Sequence, residues 1–314
     1  TLLINYWYCK KRLKIQVRFG HFQWGFFKEV SVYSFWIFLN AIMDRIYWST
    51  GQFVLGMFKG AAVVAVYAVA IQLQAIYMGF STAISGVFLP KVTAMVTKEN
   101  NEKAISDLFI RTGRIQYIII AFILTGFVVF GKSFIRLWAG SDYEDAYGIT
   151  LCFFIPMTVP LIQNLGIIIL QARNQMKFRS TLYVVIAFVS LVISIPLSKQ
   201  YGGIGCAISI ALALTTGQII VMNIYYHRVI HIDILDFWKE IGKMSLVPFA
   251  IGSLSFYLFC IYEIHTVQIF IVCIFAFSCI YVPLFWFFGM NAYEKELFVS
   301  PVRRFVGRLQ KNLQ

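Results

Sequence analysis

The stretch Ala61-Ala-Val-Val-Ala-Val-Tyr-Ala-Val-Ala-Ile-Gln-Leu-Gln-Ala-Ile-Tyr-Met-Gly-Phe-Ser-Thr-Ala-Ile-Ser-Gly-Val-Phe-Leu89 contains no charged residue. It is longer than the about 20 apolar residues that a helix needs to cross a bilayer. Comparable runs recur along the chain, and spans are predicted at 30–58, 61–89, 115–132, 147–171, 180–198, 203–224, 245–262 and 266–289. These runs are too continuously apolar for the alternating strands of a membrane barrel. The sequence therefore predicts an all-α polytopic membrane helical bundle with about eight spans.

The composition agrees with a membrane protein and argues against other classes. Hydrophobic residues make up 60% of the chain and charged residues 13%, whereas soluble domains carry about 25% charged residues. The net charge of +13 comes from Lys and Arg clusters between the apolar runs, which is typical of loops facing anionic lipid and does not indicate a nucleic-acid partner. The cysteines and histidines lack ligand spacing, so no metal or other cofactor is predicted.

The basic residues predict the orientation of the spans. With eight alternating spans, 22 of the 27 Lys and Arg residues fall on one side, which the positive-inside rule assigns to the cytoplasm. The opposite side receives Lys59, Lys132, Arg136 and Lys199. Its longest connection, 132–146, is too short for a folded extracytoplasmic domain. That shortness weighs against several classes of enzyme.

The start of the chain is interpreted as the tail of a preceding helix. The first residue is Thr1 rather than Met, and residues 1–8 are too short to span a bilayer. We therefore expect the sequence to be part of a longer protein.

Asp44 and Arg45 are adjacent opposite charges inside the first span. A charged group at the centre of a membrane helix costs roughly 2.5 to 3.5 kcal/mol on insertion scales, so such groups persist mainly where a polar cavity receives them. If the helix continues to Phe58, the pair lies near its middle and faces a cavity or another helix. If the helix ends near Trp48, Arg45 can reach the interface instead. The sequence leaves both interpretations open.

Polar residues form stripes on three of the predicted spans. At about 100° per residue, one face of the first span is polar. Its members are Tyr33, Asn40, Asp44, Tyr47 and Gly51, with Trp48 and Gln52 at the edge. The second span carries Tyr67, Gln74, Ser81 and Ser85, and the fourth carries Gln163, Asn164 and Gln171 beside Pro156 and Pro160. Such faces can line a lumen, although for any single residue a hydrogen bond between helices is the simpler explanation.

Several motifs resemble those of a known family. They are Asp44-Arg45-Ile-Tyr-Trp-Ser-Thr-Gly51-Gln-Phe-Val-Leu-Gly56, Gly60, Val66-Tyr67-Ala-Val-Ala70, Phe88-Leu-Pro90-Lys91, Phe134-Ile-Arg-Leu-Trp138-Ala-Gly140 and Tyr201-Gly-Gly-Ile-Gly205. Their order and spacing resemble the bacterial polysaccharide flippases of the multidrug/oligosaccharidyl-lipid/polysaccharide exporter superfamily. Members have twelve to fourteen spans in two six-helix halves. The resemblance implies that 1–29 end a truncated helix and form a basic cytoplasmic linker, that 30–225 are the second six-helix half, and that 226–314 hold a cytoplasmic connection, two accessory transmembrane helices and a basic tail.

The resemblance also implies a function. It implies that undecaprenyl-diphosphate-linked oligosaccharide is moved across the bacterial cytoplasmic (inner) membrane by alternating access, for O-antigen, lipopolysaccharide or other surface polysaccharide. No bond is broken, so the protein is not expected to be an enzyme. Membrane lipid and polysaccharide polymerase machinery are the expected partners. The expected substrate-binding residues are Asn40, Asp44, Arg45, Tyr47, Gln52, Tyr67, Gln74, Gln163, Asn164 and Gln171. Arg45 would bind the diphosphate, and Asp44 would neutralise Arg45 or bind a coupling ion.

Two other functions remain as alternatives. A multidrug cation exporter of the same superfamily would use an acidic, aromatic cavity, and Asp44 is the one carboxylate predicted within the membrane. A membrane glycosyltransferase or polymerase would need a larger outer loop than this sequence provides.

Overall fold

The structure is a computed structural model that describes Trp7, Lys11, residues 23–98 and 102–261, Ile264 and residues 266–300. Within these residues every regular element is helical, which confirms the predicted all-α membrane bundle. The helices are α1 (Trp24–Phe58), α2 (Ala61–Gly86), α3 (Leu89–Lys98), α4 (Glu102–Trp138), α5 (Ala146–Ile162), α6 (Leu165–Ala172), α7 (Met176–Ala213), α8 (Met222–Arg228), α9 (Ile234–Ile261) and α10 (Val267–Phe288). A 3₁₀ turn covers Ser141–Tyr143, a π-helical segment covers Leu214–Val221, and residues 292–300 are also helical.

Most of the predicted spans have a counterpart in helices of spanning length. Within the described ranges, five helical stretches are long and apolar enough to cross a membrane: Ala61–Gly86, Glu102–Trp138, Met176–Arg228, Ile234–Phe259 and Val267–Phe288. The fourth predicted span is divided into α5 and α6, which meet at an angle of 46°. Helix α1 is less apolar and is not among the five. Its 35 residues would nevertheless extend about 52 Å, which exceeds the roughly 30 Å of a bilayer core.

The longest of these stretches is a helical hairpin. As one helix, Met176–Arg228 would be about 80 Å long, far beyond the roughly 30 Å of a bilayer core. The chain turns at Gly202, whose φ of 61° and ψ of −134° are not helical. Beyond the turn it folds back so closely that a Cβ at Gly205 would lie 2.1 Å from the carbonyl oxygen of Leu197. The two halves coincide with the predicted spans 180–198 and 203–224.

Helix α1 packs against both halves of this hairpin. In the first half, Ser180 Oγ donates to the carbonyl oxygen of Trp36 at 2.9 Å, and Lys199 lies over the ring of Phe58. In the second half, the Tyr47 hydroxyl donates to the carbonyl oxygen of Ile210 at 2.8 Å. The order of these contacts makes α1 parallel to the first half. The second half returns antiparallel to α1.

The remaining helices alternate in direction in the same way. Helix α1 meets α2 at Gly51 and Tyr67. Helix α2 is antiparallel to α4, through Tyr77 with Ile120 and Ser81 with Gln116, and parallel to α5, through Ser81 with Leu161 and Ser85 with Asn164, which lies just after α5. Helix α4 is parallel to α9, through Arg114 with Glu240 and Tyr117 with Ser245, and antiparallel to α10, through Phe122 with Phe277 and Phe130 with Phe270. Thus α1, α4, α7 and α9 all begin at one face. This is the alternation that the charge pattern predicts, and by the positive-inside rule we expect that face to be the cytoplasmic one.

Candidate functional site

A cavity of about 320 Å³ lies inside the bundle, between α1, α2, α5, α6, α7 and the π-helical segment. We call it the central cavity. Half of its lining residues carry polar groups, although 60% of the residues in the chain are hydrophobic. These are Asn40, Asp44, Trp48, Thr82, Asn164, Gln171, Arg179, Tyr183 and Gln218. Their convergence makes the central cavity the candidate functional site.

Two backbone irregularities lie at the level of the central cavity. Pro156 and Pro160 lie inside α5, where proline removes a helical hydrogen bond and its ring crowds the preceding turn. Helix α5 ends at Ile162 and α6 departs at 46°, with Pro160 in the cavity wall. The second irregularity is the π-helical segment Leu214–Val221, which carries Gln218, a lining residue of the cavity. Such wide turns are rare and recur at functional sites.

Arg179 provides a cation that is 8% exposed. It lies in the first turn of α7, at the cytoplasmic end of the cavity. Its Nη1 donates to Gln218 Oε1 at 3.2 Å, and its guanidinium lies 5.4 Å from the ring centre of Tyr183. Because a guanidinium stays protonated in proteins, Arg179 places a fixed positive charge in a largely apolar interior.

Asp44 provides the negative charge of the central cavity. The Tyr183 hydroxyl donates to Asp44 Oδ1 at 3.0 Å. Tyr183 therefore contacts both Asp44 and the guanidinium of Arg179. Among the described side chains no salt bridge joins Asp44 to Arg179. The described residues also contain no group of three or more His, Cys, Asp or Glu side chains placed to hold a metal ion.

Four buried N–H groups around the central cavity have no hydrogen-bond acceptor within the part of the chain that the structure describes. They are Asn40 Nδ2, Trp48 Nε1, Arg179 Nε and Gln218 Nε2. A buried donor without a partner costs about 1–3 kcal/mol. All four are donors and one belongs to a cation, so together they suit a ligand that is negatively charged and rich in acceptor oxygens.

Four of the residues predicted from the sequence line the central cavity: Asn40, Asp44, Asn164 and Gln171. Asn164 also donates to Ser85 Oγ at 2.7 Å. Tyr47 lies directly behind the wall, where its ring packs against Tyr183 at 6.0 Å.

The other predicted residues lie elsewhere. Gln74 and Tyr67 are buried between α2 and α5, with Gln74 Nε2 donating to Met157 Sδ at 3.5 Å. Gln163 pairs with Asn223 at 2.8 Å. Gln52 borders a shallow pocket near the outer end of α1. Arg45 is exposed, does not line the central cavity, and has no hydrogen bond or ion pair to any residue that the structure describes.

Sequence reasoning missed Arg179, Tyr183 and Gln218. Arg179 is one of the 22 basic residues that the span prediction assigns to the cytoplasmic side, in the loop before the fifth span. The missed signal was a polar face on that span. Its buried polar members are Arg179, Ser180, Tyr183, Ser190, Ser194 and Ser198. Together with the polar face of the first span, this face points to Arg179 as a residue of the site.

Comparison with known proteins gives a similarity that covers just under half of the chain. Residues 1–148 match the model of a family described as "Polysaccharide biosynthesis protein". The match agrees with the resemblance to polysaccharide flippases and supports a role in polysaccharide biosynthesis or export. The matched region includes Asn40, Asp44 and Trp48, whereas Arg179 and Gln218 lie beyond it. No curated protein and no solved structure gave a significant match.

Proposed function

We propose that this protein is a flippase that moves undecaprenyl-diphosphate-linked oligosaccharide across the bacterial cytoplasmic (inner) membrane by alternating access. The observation that carries the proposal is the central cavity, whose lining includes Arg179 and three other residues with buried N–H groups that lack acceptors. The family match supports the link to polysaccharide, and the multi-pass bundle provides the setting for transport. Membrane lipid and polysaccharide polymerase machinery are the proposed partners.

The chemistry of a lipid diphosphate fits this cavity. A diphosphate carries negative charge and several acceptor oxygens. Arg179 supplies a charge-assisted hydrogen bond, and Gln218, Trp48 and Asn40 supply further donors. The interaction is strengthened by the low dielectric of a buried site. Translocation needs no nucleophile or general base, and the polyprenyl tail can remain in the lipid.

Asp44 favours a second candidate function, the export of cationic drugs. Its carboxylate lines the central cavity together with the aromatic rings of Trp48 and Tyr183, and such rings attract cations. Arg179 opposes this function because a bound cation would share the same 320 Å³ space with a guanidinium. The donor-rich lining therefore favours the flippase.

The proposal is tested by replacing each of the two candidate arginines. We expect Arg179→Gln to abolish or strongly reduce glycan export in a strain that lacks its own flippase. Losing a charged hydrogen bond costs about 1.5–3 kcal/mol, which weakens substrate binding roughly 10- to 100-fold. Arg45→Gln is the matched control and should retain export, because Arg45 lies outside the cavity.

Membrane levels of the variants are matched by immunoblot. Full export by Arg179→Gln would overturn the proposed role of the cavity. If Asp44→Asn removed resistance to cationic drugs while glycan export never depended on the protein, the drug-exporter function would replace the flippase.

A further inference from the structure

A second cavity of about 370 Å³ lies near the cytoplasmic end of α1, between α1, α3 and the end of α6. We call it the vestibule. Gln171 lines both the vestibule and the central cavity, so the two spaces adjoin at this side chain. The polar residues of the vestibule are Glu29, Tyr33, Thr93, Gln171 and Asn174, and Phe26 adds an aromatic ring.

The two cavities differ in charge and in hydrogen-bonding character. The lining of the central cavity includes Arg179 and other residues with unpaired N–H donors. The described lining of the vestibule has no Lys or Arg, and its charged group is the carboxylate of Glu29. That carboxylate repels phosphate but accepts hydrogen bonds from hydroxyl groups. The amides of Gln171 and Asn174 both donate and accept. This mixture suits an uncharged polyol rather than an anion.

The local structure keeps these groups available to a ligand. Among the described residues, the side chains of Glu29, Tyr33, Gln171 and Asn174 make no hydrogen bond to another part of the protein. Asn174 follows the end of α6 with a φ of 54°, a conformation that Asn tolerates better than most residues. This turn places Asn174 at the rim of the vestibule.

Helix α1 connects the two cavities along one face. Glu29, Tyr33, Asn40 and Asp44 are spaced so that they follow the same side of the helix. The first two residues line the vestibule and the last two line the central cavity. A ligand longer than either cavity can therefore contact both along a single polar path.

We infer that the vestibule is a glycan-binding subsite, which takes uncharged sugar residues while the diphosphate occupies the central cavity at Arg179. This inference rests on the proposed function and assigns a separate part of the same substrate to separate residues. Sugar hydroxyls both donate and accept hydrogen bonds, which matches Glu29, Gln171 and Asn174. The ring of Tyr33 or Phe26 offers an apolar face to the C–H side of a sugar. Gln171 lies where the two parts of the substrate meet.

The test compares two lipids that differ by one sugar. Undecaprenyl diphosphate and the same lipid carrying N-acetylglucosamine are titrated into the purified protein in nanodiscs, and binding is measured by native mass spectrometry. We expect the wild type to bind the sugar-bearing lipid about tenfold more tightly, as one or two added neutral hydrogen bonds provide. Asn174→Gly and Tyr33→Ala, which change residues that line the vestibule and not the central cavity, should each reduce this preference and change the affinity for undecaprenyl diphosphate less than twofold.

Two controls separate this inference from the proposed function. Arg179→Gln should weaken binding of both lipids, whereas Gln52→Leu, which lies outside both cavities, should affect neither. Equal binding of the two lipids by the wild type, or equal weakening of both by Asn174→Gly, would overturn the glycan subsite alone. If neither lipid binds the wild type, both the subsite and the proposed flippase function fail.

Discussion

At the scale of single residues, Gly51 determines how closely α1 approaches α2. A Cβ at this position would lie 2.2 Å from the Tyr67 hydroxyl oxygen and 2.6 Å from Cζ of the same ring. Tyr67 is fully buried and cannot move away easily. We expect Gly51→Ala to lower the free energy of unfolding by about 1–3 kcal/mol, the usual cost of overpacking. Thermal unfolding of the purified protein in detergent measures the effect.

The control for this substitution is Gly79→Ala in α2. Nothing lies within 4 Å of a Cβ at Gly79, so alanine should leave stability unchanged or raise it by up to about 1 kcal/mol through helix propensity. Adding Tyr67→Phe to Gly51→Ala should restore part of the loss, because the nearest clashing atom is removed. Equal melting temperatures for Gly51→Ala and the wild type would show that α1 and α2 are not in this contact.

Helix geometry gives the neighbouring residues Asp44 and Arg45 different environments. Adjacent residues on a helix point about 100° apart, so a helix that directs Asp44 into the central cavity turns Arg45 away from it. The sequence alone therefore predicts that these two side chains point in different directions. The polar face of the fifth span points to Arg179, but the burial of this cation depends on the packing of α7 against the π-helical segment.

At the scale of elements, the turn at Gly202 makes one long helix into two spans. With φ of 61° and ψ of −134°, this residue has a conformation that side chains with a Cβ rarely adopt. We expect Gly202→Ala to lower the free energy of unfolding by about 1–3 kcal/mol, through backbone strain. The melting temperature of the variant measures it, with Gly242→Ala as the control, because a Cβ there meets open space. An unchanged melting temperature for Gly202→Ala would contradict the turn.

A buried ion cluster joins α4 to the helices at the end of the chain. Arg114 Nε donates to Glu294 Oε1 at 2.6 Å, and Arg114 Nη1 donates to Glu240 Oε2 at 2.7 Å. Because Glu294 is 1% exposed, Arg114→Met leaves a buried carboxylate without its counterion. We expect a loss of about 3–5 kcal/mol in the free energy of unfolding, measured by thermal unfolding.

The exposed partner of the same cluster provides the comparison. Lys243 bonds Glu240 at 2.6 Å, but its side chain is 62% exposed, so Lys243→Met should change stability by less than about 1 kcal/mol. The double variant of Arg114→Met with Glu294→Gln should be more stable than Arg114→Met alone. If Arg114→Met and Lys243→Met lowered the free energy of unfolding equally, burial would not determine how much each ion pair contributes to stability.

At the scale of the whole molecule, helix direction and charge predict which residues face each side of the membrane. We expect single cysteines at Lys59 and Lys199, in a background without other cysteines, to react with an impermeant maleimide in intact spheroplasts. Cysteines at Lys177 and Lys239 should react only after permeabilisation, because they lie at the opposite face. The labelled fraction on gels gives the result. Labelling of Lys59 and Lys177 positions from the same side would contradict the alternation.

The sequence predicts the bundle better than it predicts the cavity. Span lengths follow from the match between apolar runs and bilayer thickness, and direction follows from the basic loops. In the fourth span, Pro156 and Pro160 favour an irregular helix. The 46° angle between α5 and α6 depends in addition on how α6 packs. The π-helical segment has no simple sequence signal, so the inward position of Gln218 could not be predicted.

The pairing of α1 with α7 has a consequence for the order of events during synthesis. The contacts of Asp44 with Tyr183 and of Tyr47 with Ile210 connect residues that are 139 and 163 positions apart. At a translation rate of about 5–20 residues per second, roughly 7 to 33 s separate the emergence of the two partners from the ribosome. During that interval α1 carries a carboxylate whose hydroxyl partner does not yet exist. The nascent protein therefore depends on its insertion machinery, or on an interfacial position of α1, until α7 arrives.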